Sequence, residues 1–401
     1  MTPDLLPELL RFQKRPRDYG RTLGAPLFQD EIRDAFVGAL YESEDPLRVL
    51  LFIEATDLEV RTLRWERLCA PIDDTWRLLA TNQRVLLSLY IPAITERRFP
   101  PIGNRDLRAL VLIASPDSLD RFRLAPFDVQ NAVDGVRQAL GDIPGDVLAH
   151  LPDAVVFPTL DALCEQLTKR EQRSSLLHFV CHGKVIEGGE TVLFWANAKN
   201  QVEPVRATRL LQRLADLNGP KGLPHFTFLC SCETASPDAE AGLGGLGQRL
   251  VRELGMPGAI AMSEPVTVKT ALALTSRFYP QLRQSGQVDL VLCEATAGLA
   301  ERDDITVPAL FSRLGDRPLF SDNLDRDLTS AEIEEGLKSL QTLLQERSPV
   351  VIPEFQAQKA ILERSLGAEA VVLNSQARQE RYQALGEINT LCDRAVERWL
   401  R

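Results

Sequence analysis

No apolar run in the chain approaches the roughly 20 residues that a helix needs to cross a bilayer. The longest, 107–114 and 86–90, are the size of strands. A helical membrane span is therefore not expected. The amino terminus, MTPDLLPELLRFQKRP, lacks the cationic start, apolar core and small-residue cleavage site of a secretory leader, which predicts a cytoplasmic protein. Positive charge is in deficit: 46 Lys and Arg stand against 56 Asp and Glu, a net charge of −10. Such a field repels phosphate backbones, so neither nucleic acid nor a membrane is an expected partner. The seven cysteines, at 69, 164, 181, 230, 232, 293 and 392, are odd in number and thinly spread, which argues against a disulfide framework. Internal repeats and low-complexity segments are also missing.

What is present is an ordinary globular balance, 44% hydrophobic and 25% charged, over a length that suits one large core or two to three domains. Residues 1–45 read as a leading segment of short helical phrases broken by Pro16, Gly20, Gly24 and Pro26. From Arg48 the runs RVLLFIEA and LRALVLIASP read as strands buried on both faces, the second ending in a turn at Ser115-Pro116. Further strand runs follow at 174–183, 191–195, 224–235 and 258–266. Helix-period segments at 128–140, 160–171, 207–217, 268–285 and 288–301 lie between or after them, and 311–320 closes the unit. The fold class is α/β, a mostly parallel sheet flanked by helices, over 46–322. From Thr329 the texture is helix only: Thr329 and Glu332 form a capping box, and Ile333, Leu337, Leu340 and Leu344 form one apolar stripe. A second helix starts at Pro353, and a third runs from Asn374 with Tyr382, Leu385, Ile388, Leu391 and Val396 on one side. Residues 329–401 thus read as a helical docking or regulatory appendage.

Chemistry concentrates at two strand ends. His182 and Cys232 each sit at the carboxyl end of a strand run, the edge where α/β sheets bind ligands. A thiol needs a base or cation nearby to become thiolate at neutral pH, and imidazole is the usual supplier. The 50-residue spacing agrees with the caspase pattern, in which the histidine precedes the nucleophile by about 50 residues.

LLHFVCHG followed by FTFLCSCETA resembles the histidine and cysteine motifs of the CHAT-domain family, the caspase- and separase-like cysteine peptidases. The likeness extends to WERL at 65–68, to RELGMPGAIAMSEPV and to the closing segment 310–320, covering roughly 45–320. It implies a caspase-like fold, with His182 as general base and Cys232 as nucleophile. It also implies an oxyanion hole from the backbone N–H groups of Gly183 and Cys232, whose preorganised donors lower an acyl-transfer barrier by roughly 3–4 kcal/mol. The family's basic specificities use an acid in the pocket before the scissile bond. Candidates here are Asp238, Glu240 and Glu264, the last also readable as a solvated loop carboxylate. The family further implies a latent effector, of the bacterial defence kind, that an activating protein partner engages, here through the C-terminal helices.

Other readings compete. Cys181 and Cys230 lie inside apolar runs and read as packing residues, and His178, in phase with His182, as a hydrogen-bonded support. His178, His182, Cys230 and Cys232 invite a zinc reading, but a C-x-C pair on an extended strand departs from zinc-loop spacing, and no metal is expected. Gly242, Gly244 and Gly247 satisfy G-x-G-x-x-G, yet stand too far from the preceding strand for a phosphate turn and read as a mobile loop over the site. The expectation is a cysteine endopeptidase acting on a protein substrate with no cofactor. The alternative is a catalytically silent CHAT-like interaction module.

Overall fold

The structure, a computed structural model, describes residues 5–53, 60, 63–92, 94, 99, 102–151, 156–169, 173–186, 189–217, 223–231, 245–302, 308–320, 330–366, 384, 387, 388, 391, 392 and 395. Its strands are β1 (Leu47–Phe52), β2 (Cys69–Ile72), β3 (Thr75–Leu78), β4 (Val85–Tyr90), β5 (Ala109–Ala114), β6 (Gly145–Ala149), β7 (Leu176–Val185), β8 (Thr191–Ala196), β9 (Val202–Arg206), β10 (Phe226–Cys230), β11 (Gly258–Met262) and β12 (Pro308–Ser312). The main sheet runs β1-β4-β12-β11-β10-β7-β5-β6, and β8 and β9 extend it from β7. From β6 to β11 every neighbouring pair is parallel. β12 turns antiparallel to β11, and β4 and β1 run parallel to β12. The α/β class expected from the sequence is the class observed.

The apolar runs lack alternation because both faces of the sheet are covered. On β5, Ala109, Val111 and Ile113 pack against Val133 and Val136 of the helix Val129–Leu140 and Leu274 and Phe278 of the helix Val268–Ser285. Leu110 and Leu112 face the other way, onto Leu163, Leu210 and Leu250 of the helices Leu160–Thr168, Ala207–Ala215 and Leu246–Leu254. Three of these helices start on side-chain caps: Asp128 accepts from Asn131 N–H, Thr159 from Ala162 N–H and Thr267 from Thr270 N–H. Such caps contribute about 1 kcal/mol each.

Two readings of the leading segment change. Gly20 and Gly24 do not break a helix but lie within one, Pro16–Gly24, that rests on β2 and the turn before it. A Cβ at Gly20 would fall 1.9 Å from the Arg67 carbonyl oxygen, and one at Gly24 2.1 Å from that of Cys69. The glycines are there for close approach. The helices Leu5–Arg11, Pro16–Gly24 and Asp30–Glu42 supply Leu9, Leu23, Phe36 and Leu40 to a third core shared with Leu68, Ile72 and Val85. At the other end, the helices Ser330–Arg347 and Ile352–Leu366 build a cluster of their own, in which Leu337, Leu344, Phe355 and Leu362 meet Ile388 and Leu391. Thr329, Tyr382, Leu385 and Val396 lie outside the described residues. Among the described residues no helix is long and apolar enough to cross a membrane.

Candidate active site

β6 lies on one side of β5 and β7 on the other. The progression of the chain across the sheet therefore reverses at β5, and the crevice beyond the carboxyl ends of β5 and β7 is the switch point where such sheets hold ligands. β7 pairs with β5 as far as Ala114↔Cys181 and with β10 as far as Val180↔Cys230. His182 is the next residue. The strand does not end there, as the sequence suggested, but leaves the sheet and pairs with β8 from His182↔Phe194 through Gly183↔Leu193 to Val185↔Thr191. Gly183 is buried within this extension.

The imidazole of His182 is oriented by the segment that follows β5. Its Nε2 lies 2.7 Å from the carbonyl oxygen of Ala125, and its ring meets that of Phe127 edge-on at 5.8 Å between centroids. A carbonyl only accepts, so Nε2 carries the hydrogen and Nδ1 is the basic nitrogen of the neutral ring. Side-chain and backbone ties hold the carbonyl in place. The Phe127 N–H donates to Ser115 Oγ at 2.9 Å, Leu124 N–H to the Leu119 carbonyl at 3.1 Å, and Asp117 N–H to the Asn200 carbonyl at 2.8 Å. Leu119 packs with Val192 and Phe194 of β8, and the Phe122 ring meets that of Phe194 at a tilt, 5.2 Å between centroids. Sequence reading missed Ala125, and no side-chain pattern could have flagged it, because its contribution is a backbone oxygen. Ser115→Ala should leave the Phe127 N–H without its acceptor and loosen the Ala125 carbonyl from His182, with Ser115→Thr retaining most of the order. Exchange of the His182 Nε2 hydrogen with solvent, followed by NMR, should be about tenfold faster in the alanine variant alone.

His178 faces the same side as His182, as its phase on the strand predicts, but in a different environment. It is fully buried against Phe228 and Tyr279, and its Nδ1 lies 2.9 Å from the Tyr279 hydroxyl. Burial pushes its pKa down to about 3. A neutral, enclosed imidazole supports the layer rather than acting as a base. The unfolded chain takes up a proton at His178 near pH 6.5 and the folded chain only near 3. Between those values the unfolded state binds more protons, so stability should fall by about 1.4 kcal/mol per unit as pH drops below 6.5. Urea melts of wild type and His178→Phe over pH 4–7 would show a flatter dependence in the variant. Cys230 lies on this same face, 3.8 Å from Thr275 Oγ1, and Cys181 packs on the opposite one; both thiols are buried.

Two strands away, past the end of β11, the polypeptide forms a charged knot. The WERL segment makes a short 3-10 turn, Trp65–Arg67, fixed by Arg64 N–H donating to Tyr19 Oη at 3.0 Å. Arg67, 2% exposed, donates to Glu264 Oε2 at 2.7 Å and to the Gln13 carbonyl at 2.6 Å. Arg64 reaches Glu264 Oε1 at 3.4 Å and the Ser263 carbonyl at 2.9 Å. Glu264 is thus not a solvated loop carboxylate: each oxygen meets an arginine, and its charge is already compensated. Glu66 is buried, which pushes its carboxyl above the usual range against the opposing pull of a Ser263 hydrogen bond and both arginines. It lines a cavity of about 30 Å³ with Ser88, Asp289 and Thr296, room enough for a water molecule.

Cys232, Asp238, Glu240, Gly242 and Gly244 lie outside the described residues. Gly247 does not belong to a loop: it sits in the helix Leu246–Leu254, where a Cβ would come within 2.6 Å of the Ala261 Cβ. This glycine lets the helix pack on β11, a role unrelated to phosphate. Among the described residues no group of three or more His, Cys, Asp or Glu comes together as a metal site would require.

Comparison with known proteins gives one family match, to the CHAT domain, over residues 17–373. No curated protein matches the chain. Among solved structures, the complex of the Porphyromonas gingivalis RgpB pro- and mature domains is similar over 74% of this chain and 71% of that one, with 13% sequence identity and a TM-score of 0.44.

Proposed function

Because the chain belongs to the CHAT domain family, we propose that it is a caspase-like cysteine endopeptidase in which Cys232 and His182 form the catalytic dyad. The observation that carries this reading is a register. β10 lies beside β7 with Phe226 opposite Leu176 and Cys230 opposite Val180, an offset of 50 residues. The same number separates His182 from Cys232 in the sequence. In the sequence each of the two residues comes two positions after the last residue that its strand pairs with the other, Val180 of β7 and Cys230 of β10, which supports a meeting of the two at the switch-point edge.

In the proposed mechanism the Cys232 thiol gives its proton to Nδ1 of His182, the nitrogen left basic by the hydrogen bond from Nε2 to Ala125. The thiolate sulfur attacks the scissile carbonyl carbon, forming a C–S bond, and the oxyanion is held by the backbone N–H groups of Gly183 and Cys232. Collapse breaks the C–N bond as His182 returns its proton to the leaving amine. Water, deprotonated by the same imidazole, then hydrolyses the thioester and restores the thiol. A carboxylate partner for His182 is not required, since a carbonyl suffices to fix the tautomer.

Cleavage of a proteome-derived peptide library by wild type and Cys232→Ala, with new amino termini read by mass spectrometry, tests the assignment. Cuts that vanish in the variant support it, and cuts that persist overturn it. Activation by a protein partner through the C-terminal helices belongs to the same proposal. What supports it is that those helices build a core of their own around Phe355 and Leu362. Removing residues 329–401 should leave peptide cleavage intact while abolishing any stimulation by a partner; an unfolded or inactive remaining core would count against it.

A further inference from the structure

Against the net negative charge of the whole chain stands one concentrated exception. Between residues 11 and 21 the sequence carries five cations, Arg11, Lys14, Arg15, Arg17 and Arg21, and one carboxylate, Asp18. All five cations are exposed. Asp18 pairs with Arg15 at 3.2 Å, and among the described residues no carboxylate pairs with Arg11, Lys14, Arg17 or Arg21. Ordinary surfaces intersperse the two signs, and an unrelieved cluster repels itself until an anion arrives.

The backbone under these side chains is fixed from below. The Gln13 carbonyl accepts from Arg67 at 2.6 Å, the Arg17 carbonyl from the Cys69 thiol at 3.8 Å, and Gly20 lies flat against the Arg67 carbonyl. Arg15 is laid over the Phe12 ring at 4.6 Å. The main chain is therefore turned inward while the cationic ends project from a preorganised helix–turn–helix, Arg11 on the first helix, Lys14 and Arg15 in the turn, and Arg17 and Arg21 on the second, which lowers the entropy lost on binding. Apolar surface adjoins it: Leu6 and Leu10 are 37% and 56% exposed, and Leu5, Phe12, Ala25 and Pro26 form the apolar part of an open groove whose polar lining is Glu8, Asp18, Arg21, Thr22 and Gln29. Arg67 links this face to the sheet that carries His182, because it holds both Gln13 and Glu264, the second residue beyond β11. β11 is two strands from β7, roughly 10 Å at the usual strand spacing.

We infer that this helix–turn–helix face is a docking surface for an acidic, apolar-interspersed stretch of the protein substrate, flanking the bond to be cut. The inference rests on the peptidase reading for what is docked, but the surface is testable without it. A peptide fits better than nucleic acid, because the cations are confined to eleven residues of a chain that otherwise repels phosphates.

The test uses the intact chain carrying Cys232→Ala, so that nothing is cleaved, and a short fluorescein-labelled peptide of Glu, Asp and Leu read by anisotropy. Binding at low salt is expected, weakened about tenfold by Arg11→Glu, Lys14→Glu and Arg17→Glu together, and likewise by raising salt from 0.05 to 0.5 M. Lys14→Gln with Arg17→Gln, and an unchanged urea midpoint in both variants, guard against misfolding. Equal binding by wild type and charge-reversed chains overturns the inference. So does an oligonucleotide or an anionic vesicle binding tighter than the peptide with loss in the same variants. With Cys232 restored, the charge-reversed chain should lose about tenfold in kcat/KM on acid-flanked substrates and nothing on neutral ones. Absence of any cleavage would defeat the peptidase reading while leaving the binding result to stand or fall by itself.

Discussion

Cys232→Ala, His182→Ala and the double variant should all cleave peptides at one common residual rate, roughly 10⁴-fold or more below wild type. The expectation follows from the two side chains acting as a unit. Without His182 the thiol has no acceptor for its proton and the leaving amine no donor, so the retained sulfur gains little. Without Cys232 there is no acyl-enzyme for the imidazole to serve. Their losses therefore overlap instead of multiplying. Single-turnover assays at equal folded concentration are the measurement. A His182→Ala chain that keeps a tenth of wild-type activity would show that another group performs the proton transfer. His178 is an unsuitable substitute: it is fully buried and remains neutral down to a pKa of about 3.

Arg67→Ala should destabilise the fold by about 3–5 kcal/mol, the range for removing one partner from a buried charged network. The guanidinium is 2% exposed and joins three parts of the chain: its own 3-10 turn, the Gln13 carbonyl at 2.6 Å and Glu264 at 2.7 Å. Deleting it strands an inward-facing carbonyl and removes one of two cations beside the buried Glu66. Arg67→Lys should recover less than half of the loss, because a single ammonium cannot serve two acceptors in divergent directions from a planar fork. Urea unfolding decides it: a change below about 1 kcal/mol would mean that the network behaves as an exposed ion pair. The loss is large against a typical total stability of about 5–15 kcal/mol.

Several parts of this molecule were legible in the sequence for identifiable reasons. The strand Ala109–Ala114, inside the run read at 107–116, is apolar at every position because helices cover both faces. The helix Val268–Ser285 was read with its observed bounds, since Thr267 caps it and Gly286, at φ +68, ends it. His178 and His182 share a face by simple period-two geometry. Other parts were hidden. The hairpin of β2 and β3 turns through Asp73 and Asp74, at φ +50 and +58; a turn of that type usually announces itself with glycine, and here it does not. Gly20 and Gly24 read as breakers because glycine's local and tertiary uses look alike in a sequence. The pairing of Glu264 with Arg64 and Arg67 spans about two hundred residues, a separation at which single-sequence patterns carry no information. The Ala125 carbonyl left no signature, because any residue can supply a backbone oxygen.

The continuation of β7 beyond the main sheet has a consequence for how the site fails. His182 and the three residues after it are held by β8, and β8 by β9. β8 is no loose flap: Leu193 and Trp195 are fully buried in the same core as Leu110 and Leu112 of β5. Opening the hairpin exposes that surface, so its free energy should lie close to that of global unfolding. Amide hydrogens of 182 and 183 should exchange with deuterium together with those of 176–181, and heat or denaturant should release the imidazole's foothold only as the sheet itself gives way.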